Sequence, residues 1–266
     1  MDQRITAGID CGSKTTKCVI VEGNDPIGIG LTSSGFDIKE AINRSLNDAL
    51  CASNMDRECI ERIGVTGAGA GNTEIVDIEI NEIRAMGRGA VHFFPGATTV
   101  VDVGAEMART ARLSKNGNVE DFAMNEKCAA GAGAFIEAMS RALGVPLEDM
   151  GELANQSNNP IPMNAQCVIF AESEVVGQIH ANTPVKDICR AIHDAMASRI
   201  ASMIRRVGPM GTSDDDIVVM GGVALNTGFI EALKRELMVE RLRIPRHPLI
   251  VPAVGAALIA REEGSD

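Results

Sequence analysis

The amino-acid sequence predicts an α/β protein made of two related halves. The first forty residues contain three short apolar runs separated by glycines and turn residues, which is the pattern of a strand meander. A second set of three such runs begins near residue 98, and longer segments with apolar residues at helical spacing follow each set. Because 45% of the 266 residues are hydrophobic and 23% are charged, we expect an ordinary folded globular protein.

The first half is predicted to be a strand-rich sheet followed by helices. Its first helix should begin after Asp37, because an aspartate can cap a helix and Glu40 stands three residues later, as in a capping box. The predicted elements are strands at 5–9, 17–22, 27–31 and 62–66 and helices at 38–50 and 81–90, with a glycine loop after residue 66.

The second half repeats the opening meander and then becomes helical. Its predicted elements are strands at 98–103, 108–113, 119–124 and 217–220 and helices at 133–143, 147–155, 168–179, 185–207 and from about 226. The final apolar run, 253–260, predicts a helix that returns to the first half. We therefore expect a first domain of residues 1–92 joined by 250–266, and a second domain of residues 93–249.

An internal repeat links the two halves. Residues 6–21 and 99–113 each read as a strand, then Asp-x-Gly and a small residue, then a short stretch with a basic residue, then a second strand. Asp10 and Asp102 occupy matching places, and so do Gly12 and Gly104. The repeat predicts the same opening hairpin in both halves.

The first of these turns resembles a P-loop but cannot be one. Residues 8–15 nearly fit G-x4-G-K-[ST], yet a P-loop must open a helix, whereas residues 17–22 continue as a strand. We instead predict a tight turn between two strands, in which Asp10 faces a hydrated magnesium ion. The residues whose backbone N–H groups would wrap phosphate are Gly12, Ser13, Lys14 and Thr15.

Two such turns together favour nucleotide binding. A single Asp-x-Gly turn is a weak signal, because both residues are common in turns. A second turn at Asp102 would allow two hairpins to hold the tail of one nucleotide from both sides. Gly221 and Gly222 follow a buried strand and supply a third loop, where glycine permits close approach of the backbone to a nucleoside.

Two of the seven cysteines are candidate metal ligands. Cys128 lies in a loop of small residues that ends at a helix, and Cys167 lies at the start of another helix. Helix N-termini lower the pKa of a thiol and favour anionic ligand sets. Two thiolates are half of the usual set for an iron–sulfur cluster, so a dimer would supply four. The other cysteines are expected to be small buried residues: Cys11, Cys18, Cys51, Cys59 and Cys189.

Composition excludes several classes of protein. The net charge of −11 and the absence of Trp and Tyr argue against nucleic acid as a partner. The apolar stretch 249–260 is shorter than the roughly 18–20 residues that cross a bilayer. With no signal peptide pattern and an odd number of scattered cysteines, we expect a cytoplasmic protein without a disulfide framework and without a membrane partner.

Several segments resemble the BadF/BadG/BcrA/BcrD ATPase family over nearly the whole chain. The two cysteine segments carry the most specific resemblance, while the Asp-x-Gly turns are shared with actin, sugar kinases and Hsp70. The similar segments are GIDCGS at residues 8–13, NEKCAAGAG at 125–133, CVIFAESEV at 167–175, GGVA at 221–224 and GAAL at 255–258.

The resemblance implies a fold, cofactors and site residues. The implied fold is the acetate and sugar kinase/Hsp70/actin-like fold, with two ribonuclease-H-like domains and ATP/ADP with Mg²⁺ in the interdomain cleft. Cys128 and Cys167 would ligate a [4Fe-4S] cluster shared between two subunits. The residues implied to line the nucleotide are Gly12, Ser13, Lys14, Thr15, Lys17, Gly104, Ala105, Gly221 and Gly222; the candidate catalytic residues are Asp10, Asp102 and Glu106.

The chain departs from the dehydratase activators of this family at two places. Where those proteins read Asp-x-Gly-Gly-x-Asp, this chain has Ala105 and Met107 in place of the second glycine and the second acid, and Met86 stands where a histidine is usual. Glu106 is then the nearest candidate to position water for hydrolysis. The Gly-Ala form of this turn resembles the turn in one of the two different ATPase subunits of class I benzoyl-CoA reductases.

The resemblance therefore implies an ATPase that passes low-potential electrons to a partner enzyme. Our main hypothesis is a subunit of a benzoyl-CoA reductase-type complex of anaerobic aromatic degradation, forming a heterodimer with a related subunit. The alternative is a homodimeric activator of a 2-hydroxyacyl-CoA dehydratase. Either would need a cluster-containing acyl-CoA reductase or dehydratase component and a ferredoxin-type electron donor. A metabolite kinase and a nucleotide-sensing assembly module of the actin or Hsp70 kind are further alternatives, and both leave the cysteine segments unexplained.

Overall fold

The structure is a computed structural model that describes residues 4–69, 75–125, 133–163, 167–208 and 216–264. The chain divides into two compact units. The first comprises Met1–Val100, Arg112–Glu120 and Pro245–Asp266, and the second comprises Val101–Ala111 and Asp121–Ile244. The domain boundaries expected from the sequence remain a proposal.

The elements follow the predicted order closely. The strands are β1 (Ile5–Cys11), β2 (Thr15–Glu22), β3 (Asp25–Ser33), β4 (Arg62–Thr66), β5 (Ile78–Glu79), β6 (Thr99–Val103), β7 (Ala108–Leu113), β8 (Val119–Met124) and β9 (Ile217–Met220). The helices are α1 (Ile38–Ser53), α2 (Glu82–Phe93), α3 (Gly133–Leu143), α4 (Leu147–Asn155), α5 (Val168–His180), α6 (Val185–Arg206), α7 (Thr227–Leu237) and α8 (Val251–Glu262). The sequence did not predict β5 or the short 3-10 helices at Arg57–Cys59 and Gly222–Leu225.

The first sheet has the strand order β3-β2-β1-β4-β5. Its first three strands form the predicted antiparallel meander, and β4 joins β1 in parallel. Helix α1 covers one face and begins as predicted, because Asp37 accepts a hydrogen bond from the Glu40 backbone N–H. Gly30 allows α1 to approach β3, since a Cβ there would lie 1.9 Å from the Ser45 carbonyl oxygen.

Helix α8 packs against the other face of this sheet. Residues 251–260 are all buried, because the helix lies between β1 and α2. The helix comes so close to β1 that a Cβ on Gly8 would lie 1.9 Å from the Ala253 carbonyl oxygen. It comes equally close to α2, since a Cβ on Gly255 would lie 1.9 Å from the Ala85 carbonyl oxygen. Helix α8 therefore lies against the first sheet.

The second sheet has the strand order β8-β7-β6-β9. The core of the second unit is built from the apolar faces of α3, α4, α6 and α7, with Phe135 and Phe229 as its largest fully buried side chains. Helix α6 is the longest helix of the described residues and buries its apolar face along most of its length. In the described ranges, no helix is both long and apolar enough to span a membrane.

Two cysteines were wrongly predicted to be buried. Cys11, Cys18 and Cys189 are buried as expected, but Cys51 and Cys59 are exposed. Cys51 lies in the last turns of α1 on the side opposite the buried positions Ile42 and Leu46, so its helical phase turns it to solvent. Cys59 ends a 3-10 helix that buries none of its residues.

Candidate functional site

The first predicted turn joins β1 to β2 and places an acid directly opposite a cation. Asp10 and Lys17 are partners in the antiparallel register, and Lys17 Nζ lies 2.9 Å from Asp10 Oδ2. Both side chains are largely shielded, with 13% and 12% of their surface exposed. Because β2 continues as a strand from Thr15, the rejection of a P-loop is confirmed.

Ser34, just after β3, holds the turn in place. Its hydroxyl donates to the Gly12 carbonyl oxygen at 2.6 Å, and its backbone N–H donates to the Lys14 carbonyl oxygen at 3.1 Å. Gly12 must be small, because a Cβ there would lie 2.8 Å from the Thr15 carbonyl oxygen. Ser13 and Lys14 are exposed at the tip of the turn, where a ligand can reach them.

The second unit repeats this arrangement. Asp102 in β6 pairs with Arg109 in β7, with 3.2 Å between Arg109 Nη1 and Asp102 Oδ2 and side chains that are 12% and 13% exposed. The Gly104 backbone N–H closes the turn by donating to the Met107 carbonyl oxygen at 2.9 Å. Arg109 was missed as a site residue, although it follows Asp102 by the same interval that separates Lys17 from Asp10.

The end of β9 reaches the same aspartate. Gly221 has a φ of +85°, and a Cβ there would lie 2.5 Å from Asp102 Oδ1. Only glycine tolerates both the positive φ and this close approach. Gly222 opens a 3-10 helix, and a Cβ at this position would meet no atom within 4 Å among the described residues. The structure therefore brings Asp102 and Gly221 together and leaves open space beside Gly222.

The second turn is also tied to the start of α3. The Gly133 and Ala134 backbone N–H groups donate to the carbonyl oxygens of Gly104 and Ala105, each at 2.8 Å. The first N–H groups of a helix have no partner inside the helix, so the turn satisfies two of them. Glu106, at the tip of the turn, is exposed.

Met86 and Met107, the two departures from the activator pattern, have different environments. Met86 is buried in α2 and belongs to the core of the first unit. Met107 lies in the second turn, where its sulfur is 3.9 Å from Arg109 Nη2. The Met107 thioether therefore lies beside Arg109, the partner of Asp102. Methionine has no carboxylate, so this position does not supply a second acid to the turn.

Cys167, one of the two predicted metal ligands, lies at the start of α5. It is the N-cap residue of α5, its thiol is free and half-buried, and the first turn of α5 contains no acidic residue. A helix N-terminus favours the thiolate form that binds iron. Cys128, the other predicted ligand, lies outside the described residues, and the described residues alone contain no group of three or more metal-binding side chains.

The buried cysteines do not share this environment. Burial, and after it the neighbouring Asp10 carboxylate, raises the pKa of the Cys11 thiol to about 12. Burial likewise raises the pKa of Cys189 to about 11. Both thiols therefore stay protonated near neutral pH and serve as packing groups.

Beyond Cys167, α5 presents an apolar face to solvent. We call Ile169, Phe170 and Val176 the α5 face; their side chains are 70%, 65% and 46% exposed. Ala171 and Val175, on the opposite side of the helix, are buried in the core of the second unit. A cluster of exposed apolar side chains, such as the α5 face, is typical of a surface that another protein covers.

Comparison with known proteins places these features in context. The model of the BadF/BadG/BcrA/BcrD ATPase family matches residues 7–260. The 2-hydroxyisocaproyl-CoA dehydratase activator of Clostridioides difficile is 33% identical, over 98% of this chain and 96% of its own length. The (R)-2-hydroxyglutaryl-CoA dehydratase activating ATPase of Acidaminococcus fermentans is 34% identical, over 98% of each chain. A benzoyl-CoA reductase subunit of Thauera aromatica is 29% identical, over 96% of this chain and 92% of its own length.

Solved structures confirm the predicted fold. The structure of the Acidaminococcus fermentans (R)-2-hydroxyglutaryl-CoA dehydratase component A aligns with a TM-score of 0.92 at 33% identity, covering 99% of this chain and 100% of that one. A glucokinase of the ROK family from Streptomyces griseus, at 15% identity and a TM-score of 0.54, shares the fold alone. The chain thus has the acetate and sugar kinase/Hsp70/actin-like fold.

Proposed function

The chain belongs to the BadF/BadG/BcrA/BcrD ATPase family, and from that membership we propose that it is an ATP-hydrolysing activator of a 2-hydroxyacyl-CoA dehydratase. The observation that carries the proposal is its similarity to two dehydratase activators along almost their entire length, at 33% and 34% identity. Of our two hypotheses from the sequence, these relatives favour the dehydratase activator over the benzoyl-CoA reductase subunit.

The duplicated turns support nucleotide binding. In the first unit, Asp10 would face the hydrated magnesium ion, and the turn from Gly12 to Thr15 with Lys17 would hold phosphate. In the second unit, Gly104 and Ala105 would face the phosphates, and Gly221 and Gly222 would lie along the nucleoside. Each carboxylate is paired with a cation on the facing strand, so the polar groups of each turn are held in place before a ligand binds.

The catalytic assignment follows from the second turn. Asp102 is paired with Arg109, and the Gly221 backbone lies close to its carboxylate. Glu106 is the acidic residue at the exposed tip, and we assign it the positioning of the attacking water. Met107 contributes no second carboxylate there, so we expect slower hydrolysis than a turn with two acids would give.

Cys167 and Cys128 of each subunit would ligate a [4Fe-4S] cluster between two copies of the chain. A cluster of this kind supplies one-electron transfer at low potential. The N-cap position of Cys167 supports this role, because a helix N-terminus favours nearby negative charge such as that of a thiolate-ligated cluster. The α5 face lies next to that ligand and would be covered in the assembly.

Iron analysis of anaerobically purified protein tests the proposal. We expect about four irons and four acid-labile sulfides per dimer, and restoration of dehydratase activity when the protein is mixed with a dehydratase component, ATP and a low-potential reductant. Cys167→Ser should lose both the iron and the activation. The exposed Cys51→Ser is the matched control and should keep both; a protein that binds ATP but no iron in every preparation would refute the proposal.

A benzoyl-CoA reductase subunit remains the second candidate. Two observations favour it: the turn reads Gly104-Ala105-Glu106-Met107, and the reductase subunit of Thauera aromatica is 29% identical over most of both chains. This candidate predicts a heterodimer with a related chain. Purification of the chain alone as an iron-loaded homodimer would therefore favour the activator.

A further inference from the structure

Thr66 has a buried hydroxyl that no described residue satisfies. Its side chain is 1% exposed, and its Oγ1 atom has no hydrogen-bond partner within the described ranges. Burying a hydroxyl without a partner costs free energy, whereas valine has the same shape and avoids that cost. Packing among the described residues therefore gives no reason for a hydroxyl at this position.

The position of Thr66 suggests that reason. It is the last residue of β4, and it is the direct partner of Asp10 in the parallel register between β1 and β4. Register partners on neighbouring strands point to the same face of a sheet, about 5 Å apart. The Thr66 side chain is therefore the neighbour of the Asp10 side chain on the strand opposite to the one that carries Lys17.

Asp10 has unused acceptor capacity on that side. Lys17 occupies Oδ2, and the described residues donate no hydrogen bond to Oδ1. A carboxylate has about four acceptor sites, so one lysine leaves most of them available. Among the described residues, the Thr66 hydroxyl thus has no acceptor and Asp10 Oδ1 has no donor, and the two side chains are register partners.

The backbone after β4 fixes this arrangement. Gly67 has a φ of +95°, and a Cβ there would lie 2.6 Å from the Cys11 carbonyl oxygen. The Gly69 backbone N–H donates to the same oxygen at 3.4 Å. The segment that follows β4 therefore packs on Cys11, the residue after Asp10. This contact keeps the end of β4, and with it Thr66, next to Asp10.

We propose that Thr66 is a positioning residue for Asp10 in the magnesium–nucleotide complex. Asp10 would hold a hydrated magnesium ion and would share its carboxylate between that ion and the Lys17 ammonium. The Thr66 hydroxyl would then donate to this carboxylate and hold it in position. The inference rests on the proposed function, since it requires that Mg·ATP binds at Asp10.

The test compares nucleotide affinity with and without magnesium. The dissociation constant of a non-hydrolysable ATP analogue is measured by calorimetry on the full-length protein, once with excess Mg²⁺ and once with EDTA. For Thr66→Val we expect about a tenfold weaker affinity with Mg²⁺ and a change of less than about twofold in EDTA. Thr66→Ser, which keeps the hydroxyl, should bind like the wild type under both conditions.

Thr110→Val is the matched control. Thr110 lies in β7 and also has a buried hydroxyl without a partner among the described residues, but it belongs to the second unit and not to the one that contains Asp10. It should leave both dissociation constants unchanged. Without ligand, both valine variants should have melting temperatures equal to or above that of the wild type, because each removes an unsatisfied polar group.

Three results would overturn the inference: an unchanged affinity of Thr66→Val for the magnesium complex, an equal loss with and without Mg²⁺, or a lower melting temperature of the unliganded variant, which would indicate a structural role. Failure of the proposed function gives a different result, since the wild-type protein itself would then bind no magnesium–nucleotide complex.

Discussion

At the scale of single residues, the two halves of the molecule repeat one chemical unit. Asp10 with Lys17 and Asp102 with Arg109 are acid–cation pairs across an antiparallel hairpin, and all four side chains are largely shielded from solvent. A buried carboxylate without its cation would be costly, so each pair maintains a charged group near the end of its strand. The repetition is chemical as well as topological.

A single histidine gives the stability of the second unit a pH dependence. His193 lies in α6, is fully buried, and has its Nδ1 atom 2.7 Å from the Cys189 carbonyl oxygen. Burial lowers the pKa of His193 below its ordinary value, because the charged form would lose its hydration. The folded protein therefore keeps this residue neutral at pH values where the unfolded chain protonates it.

The free energy of unfolding should then fall as the pH decreases below about 6.5, the ordinary pKa of histidine, by up to about 1.4 kcal/mol per pH unit. Above that pH the contribution is fully present, because both states are neutral. Urea denaturation between pH 5 and 8 measures this slope. His193→Gln should reduce the slope of the unfolding free energy against pH. His180→Gln, at an exposed position, should leave this slope as in the wild type. Equal slopes for all three proteins would contradict the role of His193.

At the scale of secondary-structure elements, α8 shows how glycine permits close packing. The helix is buried on all sides, so the backbones of its neighbours must come close to its own backbone. Gly8 on β1 and Gly255 on α8 itself leave room for carbonyl oxygens of the facing elements. The small residues thus determine how closely sheet and helices approach.

Two helical glycines should respond to alanine in opposite directions. Gly255→Ala places a Cβ at 1.9 Å from the Ala85 carbonyl oxygen and should destabilise the protein by at least about 3 kcal/mol. Gly177→Ala in α5 meets no described atom within 4 Å and should stabilise it by about 0.5–1 kcal/mol, because alanine favours a helix. Urea denaturation of the purified chain measures both changes, and a stable Gly255→Ala protein would show that this packing is looser than described.

The elements also show what sequence patterns can and cannot predict. Long periodic segments such as α3 and α4 were predicted with the bounds that the structure has, because several apolar positions define each helix. β5 contains two residues and shows no periodicity to detect. Arg109 was missed because its role depends on strand register, which brings it opposite Asp102 and which composition does not reveal. Thr66 needed the same information, since only the pairing of β4 with β1 places it beside Asp10.

At the scale of the whole molecule, the α5 face is the surface that the proposed dimer would cover. Its exposed side chains lie on the same helix as Cys167, at the end where a shared cluster would be held. If two copies of the chain share that cluster, this face lies in or next to the contact between them. A charged residue there should then prevent association without disturbing the fold of either unit.

Phe170→Asp should weaken dimer formation at least about tenfold and lower the iron content in parallel. Phe36, which is fully exposed in the loop between β3 and α1, gives the matched control, and Phe36→Asp should change neither property. Analytical ultracentrifugation under anaerobic conditions, combined with iron analysis, measures both variants. A dimeric, iron-loaded Phe170→Asp protein would place the contact elsewhere.

The burial of α8 has a consequence for synthesis on the ribosome. The sheet that α8 covers is made from the earliest part of the chain, while α8 is the last of the described elements to be translated. One face of the first sheet must therefore stay uncovered until α8 has been translated. All elements of the second unit emerge before α8, so that unit can finish folding first, and the first translated strands complete their core last.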